Sequence, residues 1–327
     1  MHGMALTAPG TELQWLPLDL PDPTAHEVLI EVEACAVCRT DLHVLDGELP
    51  DIPYPIVPGH QVVGKIVAAG AEAELAVGTH VGVAWLASTC QRCDYCRSGR
   101  ENLCDQAQFN GYNRNGGYAD HMLADSRFIF PLPDTAVAAT FAPLLCGGLI
   151  GYRSLCKTGE ANKLGIYGFG SAAHLITQLA VSQGREVYAF VRPGDQQAIR
   201  LALDCGACWA GSSLEPAPHL LDAGIIFAPA GELVPKALTD LRKGGVVVCG
   251  GIHMSDIPSF PYADLWGERR IESVANMTRA DGQHFMRAAE KSHIQPQVEC
   301  WPLQQANEVL ELQRNGRISG TAVLIPS

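Results

Sequence analysis

From about residue 148 onwards, runs of β-branched and aliphatic residues alternate with segments of helical periodicity, a rhythm that confines this half of the chain to a parallel α/β sheet. KLGIYG (163–168) reads as the first strand, residues 171–183 as an amphipathic helix and EVYAFV (186–191) as the next strand. A helix beginning near Asp195, GIIFA (224–228), a helix after Gly231, GGVVVCG (244–250) and RIESVA (270–275) continue the alternation. Between the first strand and the first helix stands Gly168-Phe-Gly170-Ser-Ala-Ala173. Glycine at the first two of these positions permits a tight turn and close backbone approach to a pyrophosphate at the helix N-terminus; alanine is an accepted third residue. Alone, such a fingerprint could be a plain turn. With a strand before it and a helix after it, it reads as a dinucleotide site.

Where the second strand ends, an acid normally bonds the ribose 2′-hydroxyl, but this chain has Arg192. An arginine suits a 2′-phosphate, so NADP is favoured over NAD. The alternative is a solvated Arg192, with Asp195 reaching the ribose.

The first half is β-rich. VLIEVEA (28–34), VVGKIVAAG (62–70) and HVGVAW (80–85) are strand candidates, and Pro50, Pro53, Pro55 and Pro58 interrupt regular structure between the first two. After the α/β stretch, residues 281–291 and 304–315 look helical and TAVLI (321–325) closes the chain as a strand.

Cys90, Cys93, Cys96 and Cys104 follow the spacing C-x2-C-x2-C-x7-C, which brings four thiolates around one point as a structural zinc requires. The cluster would equally fit a small zinc-ribbon module. A formal charge of −12 weakens a nucleic-acid role, because neutralising phosphates takes clustered Lys and Arg. The N-terminus lacks a signal pattern and no apolar run approaches membrane-spanning length, so the expectation is a soluble cytoplasmic protein with no membrane partner. In that compartment the 12 cysteines are metal ligands or buried thiols rather than disulfides.

Three further segments, Cys38-Arg-Thr40-Asp41-Leu-His43, Pro58-Gly59-His60 and Leu145-Cys146-Gly-Gly, supply two cysteines and a histidine outside the cluster. Together with the cluster and the glycine fingerprint, in collinear order over essentially the whole chain, they make it resemble the zinc-dependent medium-chain alcohol dehydrogenases. The resemblance implies a GroES-like β-barrel catalytic domain at 1–147, with 276–327 returning to it, and a doubly wound Rossmann domain at 148–275. The active site is expected in the cleft between them. It implies a catalytic zinc on Cys38, His60 and Cys146, and therefore two zinc ions per chain. Three protein ligands leave a fourth position for water or substrate, and a Lewis-acidic metal there favours hydride exchange between an alcohol or aldehyde and NAD(P). Cys38 also closes a C-x-x-C with Cys35, but no thioredoxin-like context surrounds that pair, and Cys35 is taken as a buried strand thiol.

By the same resemblance, Thr40 takes the alcohol proton and passes it through the cofactor ribose to His43; a hydroxyl and an imidazole both suit a shuttle. Asp41 matches the acid that orients the ligand histidine, and Arg39 a position that contacts the pyrophosphate. Two positions depart from the family. Gln61 stands where Gly-His is usually followed by glutamate, and Thr321 where many relatives carry a pyrophosphate-binding arginine, which Arg39 or Arg317 could replace. Trp85 falls where tetrameric relatives place an aromatic wall near the zinc. Leu49 falls where the yeast enzymes carry a large tryptophan, so primary alcohols bulkier than ethanol are expected. The segment 270–275 is a candidate edge for pairing into a homodimer or homotetramer. Competing expectations are a zinc-independent quinone or enoyl reductase on the same fold, and a zinc-scaffolded nucleotide-binding protein without this activity. The physiological substrate, the favoured direction and the oligomer size are not legible.

Overall fold

A computed structural model describes every residue except Ser319 and Ser327. The chain divides into two compact units: Met1–Cys146 with Asn276–Gln283 and Gln295–Ser327, and Gly147–Ala275 with His284–Ile294.

In the second unit, six strands form one wholly parallel sheet in the spatial order Trp209–Ser212, Glu186–Val191, Lys163–Tyr167, Leu221–Ile226, Leu241–Cys249, Arg270–Ser273. The order reverses beside Lys163–Tyr167, the first strand of this sheet in sequence, as in a doubly wound fold. Its inner strands are apolar on both faces because helices cover both, so Val187 to Val191 and Ala223 to Ile226 are buried without alternation. Tyr167 stacks on Phe190 at 4.3 Å in a core completed by Leu221, Val234, Leu238 and Val247. Each such side chain withdrawn from water contributes roughly 1.5–3 kcal/mol. One acid enters this core: Asp240 accepts from the Tyr167 hydroxyl at 2.6 Å and pairs with Lys236. Trp209–Ser212 escapes sequence reading because Trp-Ala-Gly-Ser carries no β-branched residue; it is an edge strand defined by its pairing to Glu186–Val191.

The first unit is built on a largely antiparallel seven-stranded sheet. Its hub is Glu27–Ala36, which pairs with Val62–Ala69, His121–Asp125 and Thr321–Ile325. One face packs on a core including Leu6, Ile30, Val32, Val62, Val81, Met122, Leu310 and Leu324. The return of the chain is not one piece, as 276–327 would have it: His284–Ile294 groups with the second unit. The reason is packing, since buried Phe285 meets the Tyr152 ring at 5.6 Å and Ser292 bonds Ser182 at 2.9 Å.

Candidate active site

Glu27–Ala36 delivers the chain into a seven-residue helix, Arg39–Leu45, whose N-cap is Cys38. Asp41, in its first turn, reaches back with Oδ2 to accept the Cys38 N–H at 2.8 Å, which satisfies one of the amides a helix start leaves open. The other carboxylate oxygen accepts from His60 Nδ1 at 3.1 Å, and the Tyr118 hydroxyl donates to Oδ2 at 2.9 Å. Asp41 and His60 are both buried, at 1% and 0% exposure. His60 Nε2 is buried with no hydrogen-bond partner.

The sulfurs of Cys38 and Cys146 are 3.9 Å apart, and with a ring nitrogen of His60 they lie within 4.8 Å of one another. The Cys146 thiol bonded to it holds Cys38 well below the ordinary thiol range in spite of burial. The same bond, with burial, pushes Cys146 well up. Burial opposes a charge on His60, yet the adjacent Asp41 carboxylate raises it to about 10. The three donors converge on one point, where a cation would sit. Zinc fits it: two sulfurs and an imidazole is a familiar three-ligand set, and the metal would satisfy the otherwise orphaned Nε2, whose desolvation costs about 1–3 kcal/mol.

Thr40, 8% exposed, lies with its Oγ1 3.7 Å from Cys38 Sγ. His43 is in the last turn of the same helix and binds Glu48 through Nδ1. Arg39 is exposed at the first helical position. Gln61 is buried, and its amide donates to Ala36 O at 3.2 Å, so it braces the end of the hub strand. Thr321 is buried at the start of the last strand.

Trp85 meets His60 edge-on at 4.9 Å and stacks on Phe109 at 5.2 Å and on Tyr112 at 5.9 Å. The Tyr112 hydroxyl donates to Pro50 O at 2.5 Å, next to Leu49, which packs half-buried against the core. Phe109, Tyr112, Tyr118 and Glu48 are absent from the sequence-based site. Only the density of aromatic residues after Cys104 could have hinted at the first two.

The four sulfurs of Cys90, Cys93, Cys96 and Cys104 lie within 4.8 Å of one another. Cys93 caps the short helix Asp94–Arg97, which contains Cys96, and Cys104 follows the turn Glu101–Leu103. Backbone N–H groups of Arg92 and Cys93 lower Cys90 to about 6. Glu101 fastens this loop: its carboxylate accepts from Arg279 N–H at 2.8 Å, Nε at 3.0 Å and Nη2 at 2.7 Å. The Arg279 guanidinium rests on the Phe128 ring at 4.4 Å.

In the second unit, Gly168 follows Lys163–Tyr167 with φ +87°, and Gly170 caps the helix Ser171–Ser182. A Cβ on Gly168 would meet Ala228 N at 2.7 Å, whereas one on Gly170 would meet nothing within 4 Å. Ala173 is fully buried in the first helical turn. Arg192 follows the strand Glu186–Val191 with its side chain 86% exposed and Nη2 3.9 Å from Asp195 Oδ2. Asp195 is engaged in capping the next helix, accepting the Ala198 N–H at 3.0 Å.

Residues 24–134 match the family model described as the alcohol dehydrogenase GroES-like domain. The chain is 43% identical over 315 residues to the probable alcohol dehydrogenase AdhA of Mycobacterium tuberculosis, covering 94% of this chain and 90% of that one. Among solved structures it superposes on a cinnamyl alcohol dehydrogenase of Sorghum bicolor with a TM-score of 0.89 at 26% identity, over 99% of this chain and 97% of that one. It matches the acetophenone reductase of Geotrichum candidum, solved in complex with NAD, with a TM-score of 0.88 at 27% identity, over 99% and 96%. Near-complete coverage by such relatives, with both cysteine sets and the glycine turn in place, settles the family: the chain belongs to the zinc-dependent medium-chain alcohol dehydrogenases.

Proposed function

We propose that this alcohol dehydrogenase oxidises primary alcohols bulkier than ethanol, and reduces the matching aldehydes, with NADP(H) preferred over NAD(H) and about two zinc ions per chain. The observation that carries it is the buried, unpartnered His60 Nε2 grouped with the Cys38 and Cys146 sulfurs. Zinc held there by Cys38, His60 and Cys146 supplies Lewis acidity to the alcohol or carbonyl oxygen. Asp41 fixes the His60 tautomer by accepting from Nδ1, which directs Nε2 to the metal. Thr40 takes the substrate proton and His43 hands it on, both on one face of the helix Arg39–Leu45 at i, i+3 spacing. Cys90, Cys93, Cys96 and Cys104 hold the structural ion.

For the cofactor, Gly168, Gly170 and Ala173 form the turn under the pyrophosphate, with Arg39 as its cationic contact. The preference for NADP(H) is supported by the exposure of Arg192 and by the engagement of Asp195 in capping. Room for a bulky substrate is supported by Leu49 and by the aromatic group Trp85, Phe109 and Tyr112 beside His60. Two structural relatives named for aryl substrates point the same way. Assembly into a homodimer or homotetramer through the edge strand Arg270–Ser273 is supported by its pairing on one side only. Among the described residues no helix is long and apolar enough to cross a membrane, and a reducing cytoplasm would keep the ligand thiols available.

Metal analysis on the purified protein, with kcat/KM for a panel of alcohols on both cofactors, tests these points. About two zinc ions per chain and faster turnover of benzylic alcohols than ethanol with NADP are expected. About one zinc ion without turnover would mean a zinc-scaffolded binding protein, and a preference for NAD would remove the role given to Arg192.

A further inference from the structure

We propose that Glu48 is a positioning residue for the proton relay, holding the Nδ1–H of His43 so that protons move through Nε2. This rests on the relay role given to His43 above.

The placement follows from how the helix Arg39–Leu45 ends. Asp46 is its C-cap, Gly47 takes φ +70°, and the chain folds back. Glu48 N–H then donates to His43 O at 3.0 Å and Gly47 N–H to Val44 O at 3.2 Å. These two bonds define a Schellman ending, which lays the residue two places past the cap against the residue three places before it. That contact is commonly apolar. Here it joins a carboxylate to an imidazole, Glu48 Oε2 to His43 Nδ1. Leu49, next in the chain, packs against the core and anchors the returning segment.

Asp46 also interacts electrostatically with His43. Asp46 is gripped by Arg314, from the helix Ala306–Arg314, through Nη1 and Nη2, each at 2.7 Å. Arg314 Nε lies 3.6 Å from Glu311. Glu48 is the carboxylate in contact with His43 Nδ1, and it is half exposed while the His43 side chain is 14% exposed. A shuttle works when the imidazole accepts and releases through one defined nitrogen, and a carboxylate on the other nitrogen both sets the tautomer and stabilises the imidazolium.

The test is the pH dependence of alcohol oxidation by the zinc-loaded enzyme as wild type, Glu48→Gln, Glu48→Asp, His43→Gln and the Glu48→Gln/His43→Gln double variant, with Tm for each. Glu48→Gln is expected to lower kcat about three- to tenfold near neutrality, leaving KM for the alcohol within about twofold. The pH–rate profile of Glu48→Gln should depart from that of wild type in the limb that His43→Gln abolishes. Glu48→Asp should recover part of the loss, and the double variant should be no slower than His43→Gln. A Glu48→Gln profile superimposable on wild type overturns the positioning role, whether or not Tm falls, provided His43→Gln still loses the limb. If His43→Gln itself keeps the wild-type profile, the relay reading fails first and the proposal falls with it.

Discussion

Both oxygens of the Asp41 carboxylate are committed, one to His60 Nδ1 and the other to the Cys38 N–H and the Tyr118 hydroxyl. One side chain thus fixes both Cys38 and His60, and its charge makes the His60 ring more basic. Asp41→Asn keeps the shape but loses the charge, so zinc retention in a chelator competition should weaken about 10- to 100-fold with the far-UV spectrum unchanged. Unchanged retention would remove Asp41 from the site. Arg192 invites a second substitution, because its side chain is exposed and packs on nothing that folding needs. Arg192→Ala should leave Tm alone and reduce the NADP-over-NAD ratio of kcat/KM about tenfold, or about 1.4 kcal/mol; an unaltered ratio would assign the ribose to another residue. At this scale the grouping of Cys38, His60 and Cys146 beside Asp41 was legible through the family resemblance, which rests on residue type and motif spacing. Tyr118 and Glu48 were not, since a tyrosine 77 positions from Asp41 and a glutamate past a helix end carry no local mark.

The turn joining Lys163–Tyr167 to Ser171–Ser182 uses its two glycines for different reasons. Gly168 needs a left-handed backbone and has Ala228 against the place a Cβ would occupy, whereas Gly170 has an ordinary φ of −122° and open space. Gly168→Ala should therefore destabilise the fold by about 1–3 kcal/mol in denaturant unfolding. Gly170→Val should leave unfolding unchanged yet weaken dinucleotide binding at least about tenfold in a fluorescence titration, because the open space is what the pyrophosphate requires. Equal effects of the two on stability would defeat the distinction. Elements with a strong period were readable here. The helix Arg39–Leu45 was not: seven residues give under two turns, and it begins on a cysteine rather than on a common capping residue. Val298–Pro302 was missed because its strand character comes from pairing in parallel with Thr321–Ile325, far along the chain.

For the molecule as a whole, the two donor sets make stability depend on metal and on pH. Ligand sulfurs and His60 bind zinc only when deprotonated, so lowering the pH weakens binding as protons compete. Backbone amides lower Cys90 to about 6, whereas burial pushes Cys96 up to about 11, so protons are held unevenly over the four thiols. With zinc on the four thiols, as proposed, the protein should keep that ion at neutral pH and release it progressively as the pH is lowered, as read by a chromophoric indicator. Release already complete at neutrality would contradict this. Removing zinc with a strong chelator should lower Tm by roughly 5–10 °C, restored by zinc but not by magnesium; a Tm indifferent to the chelator would argue against a structural ion. The sequence alone determined the kinds of chemistry available and five of the six strands of the parallel sheet, because residue identity, short spacings and periodicity are local properties. The grouping of Cys38 with Cys146 could be had from the sequence only through the family resemblance; the tertiary structure supplies its physical reason. Cys35 and Cys38 share a C-x-x-C, yet Cys35 is shut in the hub strand's core while Cys38 turns to Cys146, 108 positions away. Strand alternation and the packing of distant segments set that partnership, and neither is written near the cysteines themselves.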